Sequence, residues 1–178
     1  MHYTLSIITN EKPNEELIEE LMLPYAEEID AIPKENLCFE DGFWYNPKAK
    51  WNMYGVSSIQ IPTKKGFCDF CKVKDIDWSY PRTVYSDYLQ KYNDIITGKK
   101  EVFDNEGFNH RFSTKEIYAE YCSAILTPSL LIDGEWYDFQ KKPFDTINLE
   151  ELRNDINAFK KLVMKNPESW IVFLDCHI

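Results

Sequence analysis

Asp75-Ile76-Asp77 places two carboxylates at positions i and i+2. On an extended chain such a pair points to one face, an arrangement suited to a hard divalent cation. Asp175 and His177 repeat the spacing near the other end of the sequence. If neighbouring strands brought them together, Asp75, Asp77, Asp175 and His177 would form a metal-dependent hydrolase or nuclease site. A divalent metal is expected only on that enzymatic reading. The competing reading takes the aspartates as turn and surface residues. Cys68-Asp69-Phe70-Cys71 is a C-x-x-C. A zinc site needs four ligands, which Cys176-His177 would have to complete, and a redox pair should open a helix, which the Lys72–Trp78 stretch does not resemble. Two incidental thiols are the favoured reading. His110-Arg111 in a polar stretch offers phosphate chemistry or a solvated pair. There is no G-x-S-x-G, P-loop, G-x-G-x-x-G or H-E-x-x-H, and six glycines supply a phosphate-cradling loop poorly.

Charge points elsewhere. The chain of 178 residues carries a formal net charge of −10. Between Glu11 and Asp41 eleven acids meet only Lys12 and Lys34. A field of that sign repels nucleic acid and anionic membrane and attracts basic surfaces. Glu15, Glu16, Glu19, Glu20, Glu27 and Glu28 are therefore candidate partner-binding residues, with Trp44, Tyr45 and Trp136 as candidate aromatic anchors. The plainer alternative is a solvated helix face that maintains solubility. Lys64-Lys65 and Lys72-Lys74 read as solvated lysines rather than a nucleic-acid face.

These residues need elements to position them. Tyr3–Ile8 reads as a strand. Asn14 caps a helix running from Glu15 towards Tyr25, with Ile18, Leu21 and Met22 as its apolar stripe. Residues 32–50 read as irregular, with Pro33, Gly42 and Pro47 as breakers and Phe43-Trp44-Tyr45 in an exposed loop. A strand is expected between Trp51 and Ile61, and a turn at Thr63–Gly66. A second helix spans Thr83–Gly98 on Val84, Tyr88, Tyr92 and Ile95, followed by a polar loop over residues 99–109. Ser113 and Glu116 form a capping-box pattern opening a third. Asp133-Gly134 between apolar runs marks a hairpin. Asn148 caps the last helix, on Leu149, Leu152, Ile156, Phe159, Leu162 and Val163. Trp170–Leu174 is continuously apolar and reads as a buried central strand. The expected fold is α+β, with a mixed or antiparallel sheet and helices packed on one face. The arrangement is ferredoxin-like with a long central insertion at residues 62–112, within a single domain of residues 1–178. No 18-residue apolar run exists, and Met1–Leu5 has neither a basic nor a long apolar leader region, so neither a membrane span nor a signal peptide is expected. Five cysteines without an export signal suggest free thiols in a reducing cytoplasm.

Two segments resemble a family of small proteins encoded in phages and prophages of Gram-positive bacteria. The first runs Tyr45-Asn46-Pro47-Lys48-Ala49-Lys50-Trp51-Asn52-Met53-Tyr54-Gly55-Val56, followed by Val73-Lys74-Asp75-Ile76-Asp77-Trp78. The second ends Asp175-Cys176-His177-Ile178, and Gly134-Glu135-Trp136 fits a Gly-x-Trp element of the same pattern. Asn52 stands where the pattern has Asp, Met53 where it has Trp, and Ser57-Ser58-Ile59-Gln60 where it has Gly-Gly-Arg-Trp. The resemblance implies a mobile-element setting and a role against host defence, similar in character to the anti-CRISPR inhibitors of Cas nucleases. The function expected is an antagonist acting in the cytoplasm of a bacterial host by binding a basic nucleic-acid-handling protein, such as Cas9 with its guide RNA. Direct binding to nucleic acid or membrane is not expected. The alternatives are a metal-dependent hydrolase or nuclease acting on RNA or a nucleotide, and a non-catalytic structural or regulatory phage protein.

Overall fold

A computed structural model describes residues 2–100, 112–139 and 148–177. The His110-Arg111 pair and most of the 99–109 loop lie outside them. The chain folds as α+β around a mixed sheet. In that sheet β1 (His2–Thr9) pairs in parallel with β8 (Ser129–Ile132), which turns back into β9 (Glu135–Asp138). On its other side β1 pairs antiparallel with β10 (Trp170–His177), His2 opposite His177 and Thr9 opposite Trp170. The far edge of β10 is shared by two short strands. β4 (Met53–Val56) pairs with its C-terminal half and β7 (Phe70–Lys72) with its N-terminal end.

A ferredoxin-like sheet splits its parallel strand pair with an antiparallel strand between them. Here β1 and β8 are direct neighbours and β9 lies outside β8, so that topology is not the one observed. The tight Asp133-Gly134 turn, with φ of 52° and 74°, folds β9 back along β8 in the primed hairpin geometry.

Helices cover both faces of the sheet, not one. Leu5, Ile7, Leu131, Val172 and Leu174 pack beneath Ile18 and Met22 of α1 (Glu15–Met22). Ile8, Leu130, Ile132, Ile171 and Phe173 pack against Phe159 and Val163 of α4 (Leu149–Val163). Successive strand residues point to opposite faces, so the unbroken apolar run of β10 requires cover on both. A third cluster joins α2 (Tyr80–Ile96) to α3 (Lys115–Ser123) and α4 through Tyr88, Tyr92, Ile95, Tyr118 and Leu152.

Local capping sets where the helices begin. The Asn14 side chain accepts from the Leu17 amide, and Asn148 with Glu151 forms a full capping box. The cap of α3 is Thr114 rather than Ser113; its hydroxyl accepts from the Ile117 amide. The aromatic segment expected as loop is a ribbon, β2 (Cys38–Glu40) against β3 (Phe43–Tyr45). A second ribbon, β5 (Ile61–Thr63) with β6 (Gly66–Cys68), carries the Thr63–Gly66 turn. Among the described residues, no helix is long and apolar enough to cross a membrane.

Candidate functional site

The four residues of the expected metal site are not brought together. β7 runs antiparallel to β10 with Lys72 opposite Trp170. The chain then continues past the start of β10, where the Val73 and Lys74 amides donate to the Ser169 and Pro167 carbonyls at 2.9 and 3.0 Å. Asp75 and Asp77 therefore sit beyond the N-terminal end of β10, whereas Asp175 and His177 sit at its C-terminal end. Five residues of strand from Trp170 to Asp175 span about 17 Å, too far for one ion. Asp77 has another employment. It accepts from the amide and hydroxyl of Ser79, which hold its carboxyl below the usual carboxylate range and orient the entry to α2. Among the described residues no group of three or more His, Cys, Asp or Glu is placed to hold a metal ion.

The two thiols of the C-x-x-C lie within hydrogen-bond reach of each other but gather no further ligand among the described residues. Cys68 ends β6, and Cys71 is buried in the core on the α4 side, where burial pushes its thiol up to about 12. Cys176 points into the core on the α1 side, where burial again pushes the thiol up to about 12. No zinc set forms from Cys68, Cys71, Cys176 and His177, and a thiolate at Cys71 is disfavoured. Lys72 and Lys74 both reach Glu168, at 3.6 and 2.7 Å.

Residues 45–56, Trp136 and Cys176 of the segments carrying the resemblance meet on the α1 face of the sheet. Asn46 is buried, and its amide nitrogen donates to the carbonyls of Pro24 and Ala26 at 3.0 and 2.8 Å while its oxygen accepts from the Lys48 amide. The Trp51 indole donates to the Met22 carbonyl at 3.0 Å, and the Lys50 amide donates to the Tyr25 carbonyl at 2.8 Å. The stretch from Asn46 to Tyr54 is thus a strap tying the end of α1 and the 3₁₀ turn Leu23–Tyr25 to the sheet edge. Lys50 also bridges to Asp138 at 3.1 Å, and Asn52 meets the His177 ring at 3.1 Å. Tyr25 donates to the Gly134 carbonyl at 2.6 Å and packs on Trp136. Lys74-Asp75-Ile76-Asp77 lies apart from them, past the start of β10, with Ile76 buried in the core on the α4 side. Asn46, Lys50, Trp51 and Asn52 are engaged in these fold-holding contacts.

The carboxylates of the front segment remain. Glu15, Glu16, Glu19 and Glu20 are exposed and, at 3.6 residues per turn, fill one arc of about 140° on α1, with Glu15 at the edge that adjoins the buried stripe of Ile18 and Met22. Burial, and then the charges of Glu19 and Glu15, push the Tyr54 hydroxyl up, which sets that edge of the arc beside β4. Glu27 and Glu28 are exposed just beyond, where the Glu27 amide donates to the Trp51 carbonyl. None of the six forms an ion pair with a lysine or arginine of the described residues. Trp44 and Tyr45 are exposed on β3. Trp136 is not a free anchor: it is half-buried, packs on Tyr25 and donates to Asp138 at 2.7 Å. The sequence reading placed Phe43 in an exposed loop without naming it an anchor and did not single out Phe39, yet these are the most exposed rings of the ribbon; Asp41-Gly42 between two phenylalanines was the signal for both. No protein-family model, no curated protein and no solved structure matches this chain.

Proposed function

We propose that this chain is a phage- or prophage-encoded antagonist of bacterial defence that binds a basic nucleic-acid-handling protein in the host cytoplasm, with guide-loaded Cas9 as the first partner to test. One observation carries the reading: the glutamates of α1 occupy a single exposed arc with no cation of the described chain opposing them. Carboxylates left in that state keep their charge available for a partner's lysines and arginines, and complementary charge steers association and excludes like-charged competitors. Cas effectors hold guide and target in positively charged channels, which a rigid acidic domain can occupy. The resemblance to phage and prophage proteins supports the setting. The hydrolase alternative lacks support from the geometry, because its four residues stand at two ends of one strand.

The test is association with purified Cas9–guide complex, beside guide RNA alone as a control. The chain binds the complex and not the RNA. Reversing Glu15, Glu16, Glu19 and Glu20 to lysine weakens binding about tenfold or more, whereas Asp175→Ala leaves it intact. Full inhibition by the charge-reversed variant would defeat the proposal.

A further inference from the structure

The ribbon of β2 and β3 leaves all six of its residues exposed. Phe39, Phe43, Trp44 and Tyr45 are 59, 75, 43 and 41% exposed, and neither strand joins the main sheet. A lone two-stranded ribbon is marginal in water, so its shape needs another source. Asp41 and Gly42, with φ of 51° and 89°, supply the turn. Phe39 packs across the strands on Trp44, centroids 5.1 Å apart, and the Lys34 ammonium lies 5.5 Å from the Trp44 ring centre. Asn46 clamps the base of the ribbon to the 3₁₀ turn after α1. The ribbon is thus held in shape by its turn, one ring pair and its base, while its rings stay in water. Apolar surface presented in this way marks an interaction site more often than chance exposure.

We propose that the Cys38–Tyr45 ribbon is an insertion element whose aromatic tip enters an apolar groove rimmed by lysine and arginine on another protein. The inference rests on the binding reading above and adds the anchor to it. Charge selects the occupant. Between Glu27 and Asp41 six carboxylates accompany one lysine. A second copy of this chain would bring like charges together, and nucleic acid would be repelled for the same reason. A groove with cationic walls satisfies both the rings and the carboxylates. The cation already resting on Trp44 shows that this ring face accepts an ammonium group.

The test uses three immobilised synthetic strands of alternating residues: Arg-Leu, Arg-Ser and Glu-Leu. The full chain binds the Arg-Leu strand about tenfold or more tighter than either of the others, the preference a buried aromatic anchor gives. Phe43→Ser reduces Arg-Leu binding to the Arg-Ser level. That residue makes no ring contact among the described residues, so the Phe39–Trp44 pair and the unfolding midpoint are preserved. Equal binding of Arg-Leu and Arg-Ser, unchanged by Phe43→Ser, overturns the insertion element; if the α1 charge reversal still weakens both, the acidic-surface reading survives it. If the reversal also has no effect, both fall. A dimer in sedimentation that Phe43→Ser abolishes would make a second copy the occupant and also overturn the proposal.

Discussion

Asn46 makes more specific contacts than any other polar side chain of its segment. Its carboxamide satisfies the carbonyls of Pro24 and Ala26, in and just after the 3₁₀ turn, and the Lys48 amide. Asn46→Ala leaves the buried Ala26 carbonyl, and the part-buried Pro24 carbonyl, without this donor, which costs about 1–3 kcal/mol. Denaturant unfolding of the variant should show that loss as a lower midpoint at unchanged slope. Asp138 is a second residue whose role is set by donors. Partial burial alone would push its carboxyl up, but Lys50, Ser129 and Trp136 donate to it at 3.1, 2.9 and 2.7 Å and together hold it below its ordinary value. A carboxyl depressed in the folded state contributes stability fully above its unfolded pKa of about 3.9, and that contribution fades as pH falls through the folded value. The midpoint difference between the wild type and Asp138→Asn should therefore shrink as pH is lowered from about 5 into that range. Neither role was legible in the sequence. Asn46 acts on carbonyls twenty or more residues away, and Asp138 owes one of its three donors to Lys50, eighty-eight residues away.

At the scale of elements, legibility followed locality. The Asn14 and Asn148 caps and the Asp133-Gly134 turn are decided by neighbours within four residues, and each stands where residue chemistry puts it. The cap of α3 moved by one residue because Ser113 and Thr114 are both competent and only the fold chooses between them. Asn148→Ala removes the side-chain arm of the capping box, leaving its backbone amide to the Glu151 carboxylate, and should cost about 1 kcal/mol, read as a lower unfolding midpoint; no loss would mean that packing of Phe159 and Val163 alone fixes where α4 begins. Strand partners were a different matter. The apolar run of β10 was readable as a central strand, and its own logic requires apolar cover on both faces, which the one-face expectation overlooked. That β4 and β7 share one edge of β10 end to end depends on contacts across a hundred residues, and no local pattern encodes it. The β2–β3 ribbon was passed over because its strands have three residues each and breakers around them, although Asp41-Gly42 is the same turn chemistry recognised at Asp133-Gly134.

For the whole molecule, the separation of Asp75 and Asp77 from Asp175 and His177 matters most, because it follows from the direction of β7 on β10. Equal spacing at two places in a sequence carried no information about distance between them. Charge asymmetry, by contrast, survived folding. The front segment could have been neutralised by the protein's own lysines; instead Lys50 goes to Asp138 and Lys72 and Lys74 to Glu168. The α1 glutamates keep their field, and the aromatic ribbon is presented from the same front segment of the chain. On the proposed reading, association through this surface draws on long-range attraction that added salt screens. The decisive measurement is the dissociation constant for guide-loaded Cas9 across a salt series, for the wild type and for the chain with Glu15, Glu16, Glu19 and Glu20 reversed to lysine. The account predicts wild-type affinity that falls steadily as salt rises, and a charge-reversed chain that binds weakly at every salt concentration. Absent association at low salt, or an affinity indifferent to both salt and charge reversal, would contradict it.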